Sequence, residues 1–234
     1  MSHPEQELRV LKHSLRSRLF HWSLILGFLP AAITGFMLWL KPGSEEFLNI
    51  SMKIHIIGAV IFTIATVVYT LFSFDRVVAF FRLIWTWDDR DIGWMLVGGG
   101  YPQKMLLGKD VVVPPMDKLN SGQKIFGICL SIGGLLLIVT GWLLYSFIPL
   151  APKAFIYGAD LVHMYFGVFL GLFMFVHIFL GIYNWSEFKS MFGDGTQLLS
   201  EVEHHNPLYA ARKLEPAVHP EADEPIGAAS YKTE

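Results

Sequence analysis

Four stretches of this chain, 19–40, 54–74, 125–152 and 161–185, contain no Asp, Glu, Lys or Arg. Each is long enough to cross about 30 Å of hydrocarbon, which takes roughly 20 helical residues. A bilayer core offers no water to satisfy backbone N–H and C=O groups, so such segments must form helices that satisfy themselves. The reading is therefore all-α: an integral membrane four-helix bundle. Composition agrees, with 53% apolar residues, only 16% charged and a mean hydropathy of +0.45 over 234 residues. Soluble domains carry more charge than this.

The first apolar run is too long for the core of a signal peptide and no A-x-A site follows it, so no cleavable leader is expected. Lys and Arg in the flanks orient the spans. Arg9, Lys12, Arg16 and Arg18 precede span one, and seven Lys or Arg lie between spans two and three, whereas the other two connections hold only Lys41, Lys53 and Lys153. Both termini and the middle loop are thus expected in the cytoplasm. The chain divides into an N-terminal segment 1–18, a four-span domain 19–185 containing the cytoplasmic loop 75–124, and a C-terminal tail 186–234. The loop opens with RVVAFFRLIW, whose basic and bulky apolar residues suit an interfacial helix. The tail ends in EPAVHPEADEPIGAASYKTE, rich in Pro, Glu and Ala, and is expected to be flexible.

Net charge is −2, which offers no pull towards nucleic acid. The single cysteine, Cys129, excludes a disulfide framework, a four-cysteine iron–sulfur site and a C-x-x-C-H haem attachment within this chain. Histidine is left as the ligand type. Of nine histidines, His3, His13, His204, His205 and His219 lie in aqueous segments and read as solvated. His21, His55, His163 and His177 lie in the spans, where an ionisable residue is a functional hypothesis by default. For one such residue an interhelical hydrogen bond is an equally good account; for four the depths decide.

His21 sits at the cytoplasmic end of span one, His55 and His163 open spans two and four at the opposite side, and His177 lies deep in span four. Fourteen residues separate His163 from His177, which is about 21 Å along a helix with a return to within roughly 40° of the same face. Two pairs at two depths result: His55 with His163, and His21 with His177. Paired imidazoles from facing helices are the ligand set of a low-spin b haem. A zinc site needs three or four ligands at one depth, and a proton relay favours Asp or Glu within the spans; neither is present. Glycines in spans three and four suit a flat macrocycle, though close helix packing explains them equally.

RLFHW (18–22), KIH (53–55), LVHMYFG with VHIFLGIY in span four, and LNSGQKIFG (119–127) together resemble the gamma (cytochrome b) subunit of membrane-bound, quinone-linked formate dehydrogenases. The resemblance covers residues 12 to about 190. It implies that His55 and His163 hold the periplasmic haem and His21 and His177 the cytoplasmic one, as axial ligands to haem iron. It implies further that Asn120, Gly122 and Gln123 contact a quinone, expected to be menaquinone, beside the cytoplasmic haem. The cofactors are then two haem b, and electrons pass across the membrane through them to or from the quinone. The partners implied are an iron–sulfur subunit and a molybdenum or tungsten catalytic subunit, in a higher oligomer of the whole complex in a bacterial or archaeal cell membrane. This chain would hold no catalytic residue or substrate-oxidising metal of its own. The cytochromes of thiosulfate reductases and nickel–iron hydrogenases share parts of the plan. Further alternatives are a transmembrane reductase that uses no quinone and a non-redox polytopic anchor or transporter. By itself N-x-G-Q-K also reads as an ordinary turn and helix cap.

Overall fold

The computed structural model describes residues 8–214. Four long helices carry the four charge-free runs: α1 (Leu15–Leu40), α2 (Glu45–Phe72), α6 (Ser121–Phe147) and α7 (Lys153–Tyr183). All four begin at least four residues before the charge-free run they contain, because a charge-free run marks the hydrocarbon and not the helix. Arg16, Arg18, Glu45, Glu46 and Lys53 extend α1 and α2 beyond it. Glu45 and Glu46 occupy the first turn of α2, where negative charge complements the helix dipole. In the other direction, the uncharged run 125–152 contains the turn between α6 and α7. There Leu150 and Ala151 both donate to the Phe147 carbonyl, and Pro152 starts the next helix. Helix α1 stops at Lys41, which is left-handed (φ 50°) and donates its N–H to Met37; Pro42 then prevents continuation.

Residues divide into two compact units. The first comprises Ser14–Phe72 and Cys129–Phe188, and so contains most of the four long helices. Its backbones meet most closely between α1 and α2. A Cβ on Gly27 would lie 2.5 Å from the Phe62 nitrogen, and one on Gly58 would lie 2.7 Å from the Gly27 carbonyl oxygen. Only residues without side chains allow this approach, as small residues do between membrane helices generally. Phe28, Phe62 and Leu170 form the buried core beside this contact, with Cys129 and Met174 packed against them. Elsewhere the long helices expose their apolar side chains, Leu26 at 64% and Leu71 at 71% among them. For a bundle solvated by hydrocarbon that is the stable arrangement, since lipid is as apolar as leucine.

The second unit is built from 8–13, Ser73–Ile128 and the chain from Lys189 onward. RVVAFFRLIW forms helix α3 (Phe74–Trp85) as expected, and the loop continues through α4 (Asp89–Leu96), a tight turn at Gly98–Gly100 and α5 (Tyr101–Leu107). All three glycines of the turn have positive φ, 56°, 62° and 77°, a run that side-chain-bearing residues rarely adopt. At the start of α4, Asp88 accepts from the Arg90 N–H and donates its own N–H to Asp91. The Arg90 guanidinium, hydrogen-bonded to Asp88, holds that carboxyl down to about 2, so the cap stays an acceptor at neutral pH. Asp91 is 1% exposed and fully engaged: it accepts from Lys124 Nζ (2.7 Å), Ser121 Oγ (2.8 Å) and the Asp88 N–H (3.1 Å). Three partners make a buried carboxylate tolerable, and they fasten α4 to the first turn of α6.

Two features depart from the sequence reading. Arg9–Leu11 forms strand β1, antiparallel to β2 (Thr196–Leu198), with Val10 opposite Gln197. The chain from 186 is also folded as far as the description reaches, through α8 (Trp185–Phe192), α9 (Leu199–His205) and α10 (Pro207–Leu214). Val202, Tyr209 and Ala210 are buried against Val10 and Leu199, and buried Lys12 donates to Asn206 at 2.7 Å. These few apolar residues are too sparse for a periodic pattern; the N-terminal segment provides the surface that buries them. The sequence EPAVHPEADEPIGAASYKTE, expected to be flexible, lies outside the described residues, as do His3 and His219.

Candidate functional site

The four span histidines meet in the two pairs that depth predicts. His55 on α2 and His163 on α7 have ring centres 6.0 Å apart. His21 on α1 and His177 on α7 have ring centres 6.2 Å apart. A metal–imidazole bond is about 2 Å and a ring nitrogen lies about 1.1 Å from its ring centre, so imidazoles on opposite sides of one ion have centres about 6.2 Å apart. Both pairs stand at the separation that one shared iron requires. Helix α7 is unbroken from Lys153 to Tyr183, so its two histidines are held about 21 Å apart along the axis.

Hydrogen bonds fix the tautomers of the first pair. His55 Nδ1 lies 2.8 Å from the Ala31 carbonyl of α1. A carbonyl only accepts, so Nδ1 carries the proton. His163 Nδ1 lies 2.9 Å from Thr140 Oγ1 of α6. The Thr140 hydroxyl spends its proton on the Leu136 carbonyl at 2.6 Å, so it too must accept from the ring. In both histidines Nε2 is then a bare lone pair. Two lone pairs cannot bond to each other, but both can bond to a metal, and an Nδ1–H donated to an acceptor is the usual support of a metal-bound imidazole. The interhelical hydrogen bonds that could have explained these histidines are present, and they use only one nitrogen of each ring.

Among the described residues no three His, Cys, Asp or Glu side chains converge. Each pair would offer a haem iron two imidazole ligands, and a bound b haem would supply a one-electron redox centre. The residues fit a b haem at both depths. His204 and His205 stack edge-on at the end of α9, away from either pair in sequence, and belong to the second unit.

Asn120, Gly122 and Gln123 lie at the start of α6, and the first and last form a reciprocal cap. The Gln123 N–H donates to Asn120 Oδ1 and the Asn120 N–H donates to Gln123 Oε1, each at 2.9 Å. This is a capping box with Asn as the cap residue and Gln in the third position. It occupies both side-chain oxygens; the two NH2 groups take no part in it. A Cβ on Gly122 would lie 3.0 Å from the Trp94 ring, so packing is one reason for glycine there.

Thr140 and the Ala31 carbonyl are functional groups that sequence reading did not single out. A threonine in a span carries little signal, because its hydroxyl is ordinarily satisfied by its own helix. Its context is the usable clue: V-T-G-W at 139–142 matches I-T-G-F at 33–36.

The family model described as prokaryotic cytochrome b561 matches residues 12–194, a range that includes all four span histidines and the cap of α6. No curated protein matches the chain.

Proposed function

This chain belongs to the prokaryotic cytochrome b561 family, and from that premise we propose that it is the membrane anchor and electron-transfer subunit of a quinone-linked oxidoreductase. Membership makes it a membrane cytochrome b, a binder of b-type haem and a carrier of electrons. The finer reading is two haems, one held by His55 and His163 and the other by His21 and His177. The observation that carries it is the pair of ring separations, 6.0 and 6.2 Å, at two levels of one continuous helix. A bound b haem supplies a reversible one-electron centre. The chain's own contribution is to hold the two sites at fixed depths and to orient the His55 and His163 imidazoles through Nδ1.

Quinone chemistry belongs to the start of α6 in this reading. Reduction places negative charge on the quinone oxygens and takes up two protons. The NH2 groups of Asn120 and Gln123 are donors that the cap leaves unused, and such donors stabilise developing charge. Gly122, between them, is packed close to the Trp94 ring. The termini and the 75–124 loop lie in the cytoplasm, following the Lys and Arg distribution. The partners are an iron–sulfur subunit and a molybdenum or tungsten subunit acting on formate, the substrate that the motifs in RLFHW and LNSGQKIFG favour.

The deciding experiment is a reduced-minus-oxidised visible spectrum and haem assay of the purified chain, followed by addition of a menaquinol analogue. Two b haems per chain, reduced by quinol, are expected. One haem per chain overturns the pairing, and haems that quinol does not reduce overturn the quinone assignment. The large subunit that copurifies identifies the substrate; a nickel–iron protein in its place would replace formate with hydrogen.

A further inference from the structure

Helices α1 and α6 present the same dipeptide to the same kind of neighbour. On α1, a Cβ at Gly35 would lie 3.3 Å from His55 Cε1 and 3.6 Å from Nδ1. On α6, a Cβ at Gly141 would lie 3.2 Å from His163 Cε1 and 3.7 Å from Nδ1. The preceding residue is threonine in both cases, Thr34 and Thr140, 7% and 6% exposed. Each hydroxyl sends its proton back to the carbonyl four residues earlier, at 2.6 Å, and turns its lone pairs to the histidine Nδ1, at 3.4 Å for Thr34 and 2.9 Å for Thr140. At His55 the carbonyl three residues before the threonine, that of Ala31, is the nearer acceptor for the ring, at 2.8 Å.

We propose that Thr34–Gly35 and Thr140–Gly141 are a matched pair of ring clamps, and that Thr140 is a positioning residue that sets the donor strength of His163 towards haem iron. This rests on the reading of His55 and His163 as one haem's ligands. Each glycine lets the helix backbone lie flat against the imidazole edge; Thr140 accepts the Nδ1–H of His163 at 2.9 Å, while Thr34 stands 3.4 Å from a His55 Nδ1–H that the Ala31 carbonyl accepts. The two clamps differ in one respect. His55 makes its short bond to a backbone carbonyl, which side-chain substitution leaves in place, whereas the shortest bond to His163 is to a side chain. An Nδ1–H donated to an acceptor makes the imidazole more basic at Nε2, which favours the oxidised metal. Thr140 therefore lowers the potential of this haem relative to an otherwise identical site without the hydroxyl.

The test uses the full chain with Thr140→Val, which keeps the shape and removes the acceptor, Thr140→Ser, which keeps the acceptor, and His163→Ala. Haem content and spectroelectrochemical midpoints are read on each. In Thr140→Val the reduction equilibrium of one haem should move about two- to threefold towards the reduced form, a shift of about 20–30 mV upward for one electron. The shifted haem should be the one absent from His163→Ala, the other haem should be unmoved, and Thr140→Ser should behave as the natural chain. Loss of that haem alone in the valine variant, with the serine variant intact, also supports the clamp. Unchanged midpoints in Thr140→Val, equal shifts of both haems, or loss of haem in the serine variant would overturn it. If His163→Ala retains both haems, the ligand assignment itself fails, a result distinct from failure of the clamp.

Discussion

Replacing Asn120 or Gln123 by alanine would confuse two roles, because it removes a cap and a quinone donor together. Losing the cap costs about 0.5–2 kcal/mol, and losing a hydrogen bond to developing charge costs roughly 1.5–3 kcal/mol. The geometry separates them. The reciprocal bonds at 2.9 Å use Oδ1 of Asn120 and Oε1 of Gln123, while a quinone oxygen could only take the NH2 groups. Asn120→Asp and Gln123→Glu keep the oxygens and delete the donors. Carboxylates are good acceptors in both positions of a capping box, and the start of a helix favours their charge by about 0.3–1 kcal/mol. Haem content and thermal stability should therefore match the natural chain. The rate at which a quinol analogue reduces the haems should fall about ten- to a hundredfold, since each 1.4 kcal/mol is about tenfold. Dithionite reduction, which needs no quinone, should be unchanged. The assay is stopped-flow absorbance on the purified chain, with haem content from the same preparations. Quinol rates within about twofold of the natural chain in both variants would refute the donor role and leave Asn120 and Gln123 as a helix cap alone.

His55→Ala or His163→Ala should reduce haem from two per chain to one, and His21→Ala or His177→Ala should remove the other; a double variant across the pairs should bind none, as a pyridine haemochrome assay would read. Retention of both haems in any single variant would discount that residue as a ligand. Reporter fusions near Gly99 or after residue 190 should register in the cytoplasm and one near Ser44 in the periplasm, with a reversed pattern overturning the orientation. Gly58→Leu should prevent haem assembly in both pairs, because its side chain would strike the Gly27 carbonyl, already 2.7 Å from the position of a Cβ; the check is haem content after solubilisation, and a normal value would mean that α1 and α2 can separate without loss of the sites.

The sequence by itself determined the four membrane helices and which histidines could meet. Both follow from constraints that act along the chain: hydrocarbon tolerates no charge for roughly 20 residues, and helical rise turns a fourteen-residue interval into a fixed depth. Once the spans alternate in direction, His55 and His163 share one level and His21 and His177 another. The tertiary structure decided what one-dimensional patterns do not encode. The proton on Nδ1 of His163 is assigned by Thr140, twenty-three residues away on a neighbouring helix, and a lone threonine in a span looks the same whether it accepts from a ligand or only bonds its own helix. Likewise, Arg9–Leu11 becomes a strand only because Thr196–Leu198 lies beside it, and Asp91 becomes a buried anchor only because Lys124 and Ser121 converge on it. In each case the energy lies in a contact between distant residues, so neither partner's local sequence carries the signal. Asn120 and Gln123 stand between these extremes. Their cap is local and legible as N-x-x-Q, because both of its hydrogen bonds close within a single helical turn, whereas the packing of Trp94 over Gly122 between them comes from a helix far away in sequence.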